Sequence, residues 1–436
     1  MIAYIILLIF ILLVISKEQR GKEIISWILL YCMIAPCIQI GNRKIDSTYV
    51  FFLFLICYFV IKQKGKLKIY NNIITYAYAM IICSITYFVG WITHGLRQSS
   101  EFVVAVLGLA KNVIALYIFF DVTEVESDRE LDLCVGKGLE KTLYLNFISI
   151  FLQWLIPQKM YNICNELYYS ASSIGYTNYE LIGQWGSGFY KGHYYRYFGL
   201  FETPMTLSCF VIIIISFFVI QATAKRCYFK YPKLILIISL IMGVLAQCKV
   251  FFLMLPILLC LYVVYNINKL DSKKIFIYLV IGVASVFVIV FLNELASISA
   301  FHYLKYLTDP LESFNTRFGQ DGYIKETMEI AINNIFTGVG PVSIQGEPLA
   351  DSSYVVLLHN GGIFALLAVL FYFITLWKKN RKQEQPYLNI FIIVILVLGA
   401  SRTIMITGAI LWILIFYQEY CYRNHSAKKF ERDGDS

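Results

Sequence analysis

Four cations stand where apolar segments give way to polar connections. They are Arg196 in His193-Tyr194-Tyr195-Arg196-Tyr197-Phe198-Gly199, Lys249 in Gln247-Cys248-Lys249, Arg317 in a long connection, and Arg402 in Ala400-Ser401-Arg402. A guanidinium offers a planar fork of N–H donors that fits two phosphate oxygens at once, whereas an ammonium acts as a point charge. A cation beside hydrocarbon is costly, by about 2.5–3.5 kcal/mol at mid-bilayer on insertion scales and less toward the interface. For any one of them the plain account is snorkelling to lipid headgroups. Four at similar depth point instead to an anion site, and a lipid-linked phosphate or diphosphate is the natural occupant. His359, in Leu357-Leu358-His359-Asn360-Gly361-Gly362, can take a hydroxyl proton near neutral pH, although a histidine at a helix end is often structural. Asp351, in Asp351-Ser352-Ser353-Tyr354, reads first as a helix N-cap and second as a group that orients an acceptor hydroxyl. Tyr195 and Tyr354 join Lys249 and Arg402 as substrate-binding candidates, each a ring with a polar handle.

Other chemistries lack their signatures. The chain has no Walker A loop, no HExxH, no Gly-rich dinucleotide fingerprint and no CxxC. Asp433-Gly434-Asp435 resembles an acidic metal-binding pair of sugar transferases but sits in a polar tail, so no metal and no cofactor is expected. The 11 cysteines are scattered, mostly within apolar runs, with no paired metal spacing, and no structural disulfide is expected.

The elements that must position these residues are membrane helices. The chain is 59% hydrophobic and 15% charged, with mean hydropathy +0.67, against roughly 25% charged in soluble domains. Near-uncharged runs such as Ile2–Ser16, Ile24–Ile40, Tyr49–Ile61 and Ile275–Leu292 approach the about 20 residues of a span. Backbone in lipid must satisfy its own hydrogen bonds, and period-2 alternation is absent, so the runs are helices. The fold expected is an all-α polytopic membrane protein with about 12–13 transmembrane helices. They fall near 2–16, 24–40, 48–61, 71–93, 102–120, 142–158, 203–223, 234–248, 250–265, 275–294, 353–377, 387–401 and 403–418. The first, with no basic residue ahead of it, reads as a retained helix rather than a cleaved signal.

Alternate connections hold about two-thirds of the 37 Lys and Arg, which marks them as cytoplasmic. The amino terminus is then outside and the carboxyl terminus inside, and the net charge of +9 reports topology rather than a nucleic-acid partner. The expected organisation is N-terminal helices over 1–158, a first long outer loop over 159–202 and central helices over 203–294. A large outer loop with amphipathic helices (295–352), C-terminal helices (353–418) and a cytoplasmic tail (419–436) follow. The first loop is dense in Tyr and Gly, a composition suited to stacking on sugar faces. In the second, Asp309-Pro310-Leu311-Glu312 reads as a helix start that Gly319 could end. Ile324, Met328, Ala331, Ile332 and Ile335 make an apolar stripe that Gly338 and Gly340 would end. That helix either packs on its neighbours or lies in the membrane interface. Lys111 is the only clear charge deep in an expected span, there to pair or to snorkel.

Three stretches resemble the O-antigen and capsule polymerases (Wzy-like) and related ligases. Arg196-Tyr197-Phe198-Gly199-Leu200-Phe201-Glu202-Thr203-Pro204 is similar to their R-x-x-G-x-F-x-x-P helix entry. Arg317-Phe318 followed by Asn334-Ile335-Phe336-Thr337-Gly338-Val339-Gly340 resembles their arginine, helix and G-x-G order, and Asp351-Ser352-Ser353-Tyr354 to Gly362-Ile363 their D-[NS]-x-Y…G-[IV] entry. The match covers residues 196–363; the first 190 residues agree only in hydropathy. The resemblance implies a GT-C-like glycosyltransferase that uses a polyprenyl-diphosphate-linked glycan, without metal or nucleotide sugar, at the outer face of the cytoplasmic membrane. It implies undecaprenyl-diphosphate-linked oligosaccharide and membrane lipid as partners, beside a chain-length regulator and a flippase. Arg196 and Arg317 match family arginines thought to bind the diphosphate. Lys249 stands where many relatives carry Ser-Arg, and His359 falls one turn late relative to Asp351. The alternatives are a ligase passing glycan to lipid A core, a flippase or secondary transporter of lipid-linked oligosaccharide, and a purely structural membrane protein. No internal repeat of the kind common in transporters is visible.

Overall fold

The computed structural model describes residues 2–17, 23–40, 43–62, 70–96, 99–123, 128–168, 189–190, 193–194, 196–201, 203–224, 226–267, 280, 325–341, 352–406 and 408–434. The described part is mostly helical. The elements are α1 (Ile2–Lys17), α2 (Ile24–Ile34), a hairpin of β1 (Cys37–Ile40) and β2 (Arg43–Asp46), α3 (Thr48–Lys62), α4 (Asn71–Thr93), α5 (Ser99–Val122), α6 (Asp128–Leu155) and α7 (Pro157–Tyr168). A two-residue hairpin of β3 (Phe189–Tyr190) and β4 (His193–Tyr194) precedes α8 (Pro204–Ala224), α9 (Pro232–Ala246), α10 (Lys249–Asn266), α11 (Lys325–Asn333) and α12 (Ser353–Lys382). Short 3₁₀ turns at Pro386–Leu388 and Thr403–Met405 flank α13 (Asn389–Gly399), and α14 (Ala409–Gly434) ends the chain.

Among the described residues five helices (α4, α5, α8, α10 and α12) are long and apolar enough to cross a membrane, and six shorter apolar helices accompany them. This bears out a membrane protein built of α-helices. The expected helix at 275–294, the helix start at Asp309 and its end at Gly319 lie outside the described residues. Large apolar side chains stay exposed on α4 (Ile81, Ile85, Phe88) and α12 (Phe364, Leu367, Phe371), where a soluble helix carries charge.

Three expectations need correction. The run 24–40 is not one helix: it stops at Ile34, and Cys37–Ile40 pairs antiparallel with Arg43–Asp46. Pro36 explains the stop, because it disfavours α conformation at the residue before it and has no N–H to continue the ladder. The expected connection 121–141 is largely helix, since α6 begins at Asp128 and carries its charges into the span. That helix restarts as α7 at Pro157, a residue suited to a first helical position. Lys111 is also not the only buried charge: among the described residues Asp121, Asp132 and Glu419 are buried as well.

Two compact units divide the chain. The first holds residues 1–15, 26–46 and 131–315. Its centre is α8, buried along nearly its whole length, with α9 and α10 packed on it. Arg226 closes a part-buried ion pair to Asp132 at 3.0 Å.

The second unit holds residues 16–25, 47–130 and 316–436. Here α4 runs along α12 and buries Tyr76, Met80, Cys83 and Tyr87, the i, i+4, i+7, i+11 face of one helix. Lys111 is held by Thr48 Oγ1 at 3.3 Å and lies 4.0 Å over the Tyr49 ring, so it pairs within the protein. Lys379 bonds both carboxylate oxygens of buried Glu419, at 3.0 and 2.9 Å, and Tyr372 Oη donates to the same carboxylate at 3.3 Å.

Candidate functional site

In the first unit the stretch Arg196–Phe201 is shaped by polar side chains of a membrane helix. Thr142, Asn146, Ser149 and Gln153 share one face of α6, and all four are buried. Gln153 Oε1 accepts the N–H groups of Phe198 (3.2 Å) and Gly199 (3.1 Å), and Gln153 Nε2 donates to Gly199 O at 3.0 Å. Asn146 Oδ1 accepts Leu200 N–H at 2.7 Å. Two amides thus satisfy the main chain of a buried turn that has no helix or sheet partner of its own. Gly199 has φ +62°, and a Cβ there would meet Asn146 Oδ1 at 2.5 Å. Those two demands explain the glycine three residues after Arg196.

The Cys164 thiol completes this cradle from α7, 3.6 Å from Gly199 O. Burial pushes the Cys164 thiol up to about 12, so it stays protonated and donates. Burial likewise raises the Tyr197 hydroxyl above its ordinary value.

Held in this way, the stretch lies against the end of α9. Tyr197 N–H donates to Leu245 O at 3.1 Å, and Arg196 Nε donates to Ala246 O at 3.1 Å. These are carbonyls of the last helical turn, which lack partners within the helix. Arg196 Nη2 also donates to Cys248 Sγ at 2.7 Å. One residue later Lys249 opens α10. A cation at a helix N-terminus opposes the positive end of the dipole, as an anion there would not. The guanidinium of Arg196 is thus bonded to the turn from which Lys249 and the N-terminal amides of α10 begin, a charge pattern that suits an anion.

The second unit holds the other candidates. Ser353 N–H and Oγ–H both donate to Arg402 O, at 3.2 and 2.6 Å, and Ser353 Oγ accepts Met405 N–H at 3.1 Å. Tyr354 Oη donates to Leu396 O at 2.8 Å. The start of α12 is thereby bonded to the turn carrying Arg402, which places Tyr354 and Arg402 at one end of the unit. The N-cap position of α12 is Ser352.

His359 is buried, about 9 Å further along α12. Its Nδ1 pairs with Asn360 Oδ1 at 2.8 Å. At this point α12 is discontinuous: Gly362 has φ 66° and ψ −164°. The freed main-chain groups are taken by the segment after α11. Val339 N–H donates to His359 O (2.7 Å), Gly340 N–H to Asn360 O (3.1 Å), and Ile363 N–H to Ile335 O (2.6 Å). Gly338 and Gly340, expected to end α11, have φ +64° and +78° but stand beyond its last residue, Asn333. A Cβ on Gly338 would lie 2.6 Å from Gly361 N, and one on Gly340 2.8 Å from the Trp91 backbone. The G-x-G therefore serves main-chain approach to a broken helix.

Of the sequence candidates, the first unit joins Arg196 with Lys249, and the second joins Arg402 with Tyr354 and holds His359 nearby. Arg317, Asp351 and Tyr195 lie outside the described residues. Sequence reasoning missed Asn146, Gln153 and Cys164, and also the break at Gly361-Gly362. The polar stripe at 142, 146, 149 and 153 was a readable signal for the first group, as was the glycine pair inside a span for the break. Among the described residues no group of His, Cys, Asp and Glu could hold a metal ion. No family model, curated protein or solved structure matches the chain.

Proposed function

We propose that the chain is a membrane glycosyltransferase of the GT-C type that acts on glycans carried by a polyprenyl diphosphate. Its activity in this reading is that of a repeat-unit polymerase of O-antigen or capsule. A hydroxyl of the acceptor repeat unit attacks the anomeric carbon of the donor. The bond from that carbon to the diphosphate breaks, and the diphosphate leaves with the electron pair. The hydroxyl proton passes to a general base, and cations beside the diphosphate stabilise the charge that builds on the leaving group. The observation that carries the proposal is the turn between α9 and α10, where Arg196 is bonded to Cys248 beside Lys249 at the start of α10. A guanidinium bonded to the turn, a lysine at the first helical position and the N-terminal amides of α10 fit an oxyanion better than a neutral ligand.

The test is binding of undecaprenyl diphosphate to reconstituted protein. Lys249→Gln should weaken it about tenfold, the size of one charge-assisted contact. Arg196→Lys, which keeps the charge but loses the fork, should weaken it by a similar factor. Unchanged affinity in both variants would remove the turn from the proposal.

A second reading, transport of the lipid-linked oligosaccharide, has one observation in its favour, the discontinuous α12. Transporters use half-helix ends to hold substrates and ions. Here the carbonyls of His359 and Asn360 already accept main-chain N–H groups from Val339 and Gly340, which favours an anchoring role for the break. Movement of lipid-linked oligosaccharide across vesicles without any change in glycan length would reverse the preference.

A further inference from the structure

The short helix α11 and the turn after it present an exposed apolar face among the described residues. Phe336 is 69% exposed, Ile332 58% and Ile335 39%. On its buried side Ala331 is enclosed and Met328 packs against Val355. The polar residues of the helix lie elsewhere on its surface, with Lys325 3.8 Å from Glu329 and both exposed. A soluble domain would not leave three large side chains in water on a nine-residue helix and its turn.

The depth of this face follows from α12. That helix ends in Lys379, Arg381 and Lys382, the cluster expected where a span leaves the hydrocarbon. About 30 Å of hydrocarbon corresponds to about 20 helical residues, which puts the other boundary near residue 358. Ile363, bonded through its N–H to Ile335 O at 2.6 Å, then lies about 8 Å inside that boundary. A Cβ on Gly362 would come within 2.6 Å of Phe336 O, so Phe336 shares that depth. The side chains next along the exposed stripe of α12 are Phe364, Leu367 and Phe371.

We infer that α11 and its turn form a membrane-dipping element, with Ile332, Ile335 and Phe336 inserted among the lipid tails of one leaflet. The occupant of the face is bulk bilayer lipid, because the face continues the exposed apolar stripe of α12 at hydrocarbon depth. The main-chain bonds to the broken helix hold the element at that depth, and the charges on Lys325, Glu326 and Glu329 keep the rest of α11 at the interface. This inference holds for glycan transfer and for transport alike.

The test places a photoreactive benzoylphenylalanine at single positions of the full chain in vesicles of alkyne-tagged phosphatidylglycerol. Position 336 should yield lipid adduct within about twofold of position 371 on the lipid-facing side of α12, and about fivefold or more above position 329. The exposed Phe336 and Phe371 leave room for the larger ring, so folding is retained. Adduct at 336 no higher than at 329, or crosslinking at 336 to protein in place of lipid, would overturn the inference.

Discussion

The turn at Arg196 and the break at His359 solve the same problem by opposite means. Each places irregular main chain in an apolar bundle, where every N–H and C=O needs a partner. At Arg196–Phe201 the partners are side chains: Gln153 serves Phe198 and Gly199, and Asn146 serves Leu200. At His359–Ile363 the partners are main chain, supplied by Ile335, Val339 and Gly340. The first arrangement can adjust, because an amide side chain can rotate. The second cannot, since neither neighbour has an atom to move without shifting its backbone. The proposed site for a charged ligand falls on the adjustable region, and the anchoring bonds on the other.

The largest effect that separates them is expected at Gly338. Its Cβ would meet Gly361 N, Asn360 C and Gly362 N within 2.7 Å. Gly338→Ala should cost about 4 kcal/mol or abolish folding, with no single truncation restoring it. Thermal unfolding in detergent reads this directly. Gly199→Ala should cost about 2–3 kcal/mol, for its positive φ and for the clash with Asn146 Oδ1. Asn146→Ala should relieve part of that cost, so the double variant loses less than the two single losses together. Strict additivity would mean that the turn is as rigid as the break.

Gln153→Leu comes next, at about 2 kcal/mol, because it leaves the N–H groups of Phe198 and Gly199 without their partner and Gly199 O with only the Cys164 thiol. Its size should show in the same assay, together with weaker undecaprenyl diphosphate binding as Arg196 loses its register. Cys164→Ala should be the mildest at neutral pH, below about 1 kcal/mol, since a thiol donates weakly. It has a pH signature. A thiol raised to about 12 in the folded protein stabilises fully below its unfolded value, and that contribution fades as pH rises toward the folded value. Between about pH 9 and 11 the parent protein should lose stability relative to Cys164→Ala, by up to about 1.4 kcal/mol per pH unit. Parallel pH profiles would show that the thiol is not enclosed as described.

Hydropathy alone made most of the helices legible, because a span must be long and apolar regardless of its neighbours. Residues 71–93 carry that signal without interruption and form α4 at those bounds. It failed where another rule acts within an apolar run, as at Pro36, which splits the run 24–40 into a helix and a strand. The site was legible only as residue types. Arg196 and Lys249 were marked by charge beside hydrocarbon, and the structure joins them through Cys248. Gln153 and Asn146 escaped notice because their function is to bond main chain some fifty residues away, a pairing that no local pattern encodes. His359 was read as a helix-end residue. It lies instead at a break in α12, because Gly361-Gly362 lets another segment enter the helix there.

The central claim is that the Arg196 turn holds the diphosphate of a glycan donor. Its most direct test is a glycan gel from purified, lipid-reconstituted protein mixed with the cell's own polyprenyl-diphosphate repeat unit, without nucleotide sugar or metal. A ladder spaced by one repeat unit is expected, lost in Arg196→Ala while the variant remains in the membrane and keeps its unfolding temperature within a few degrees. Ladders of equal length from parent and variant would contradict it.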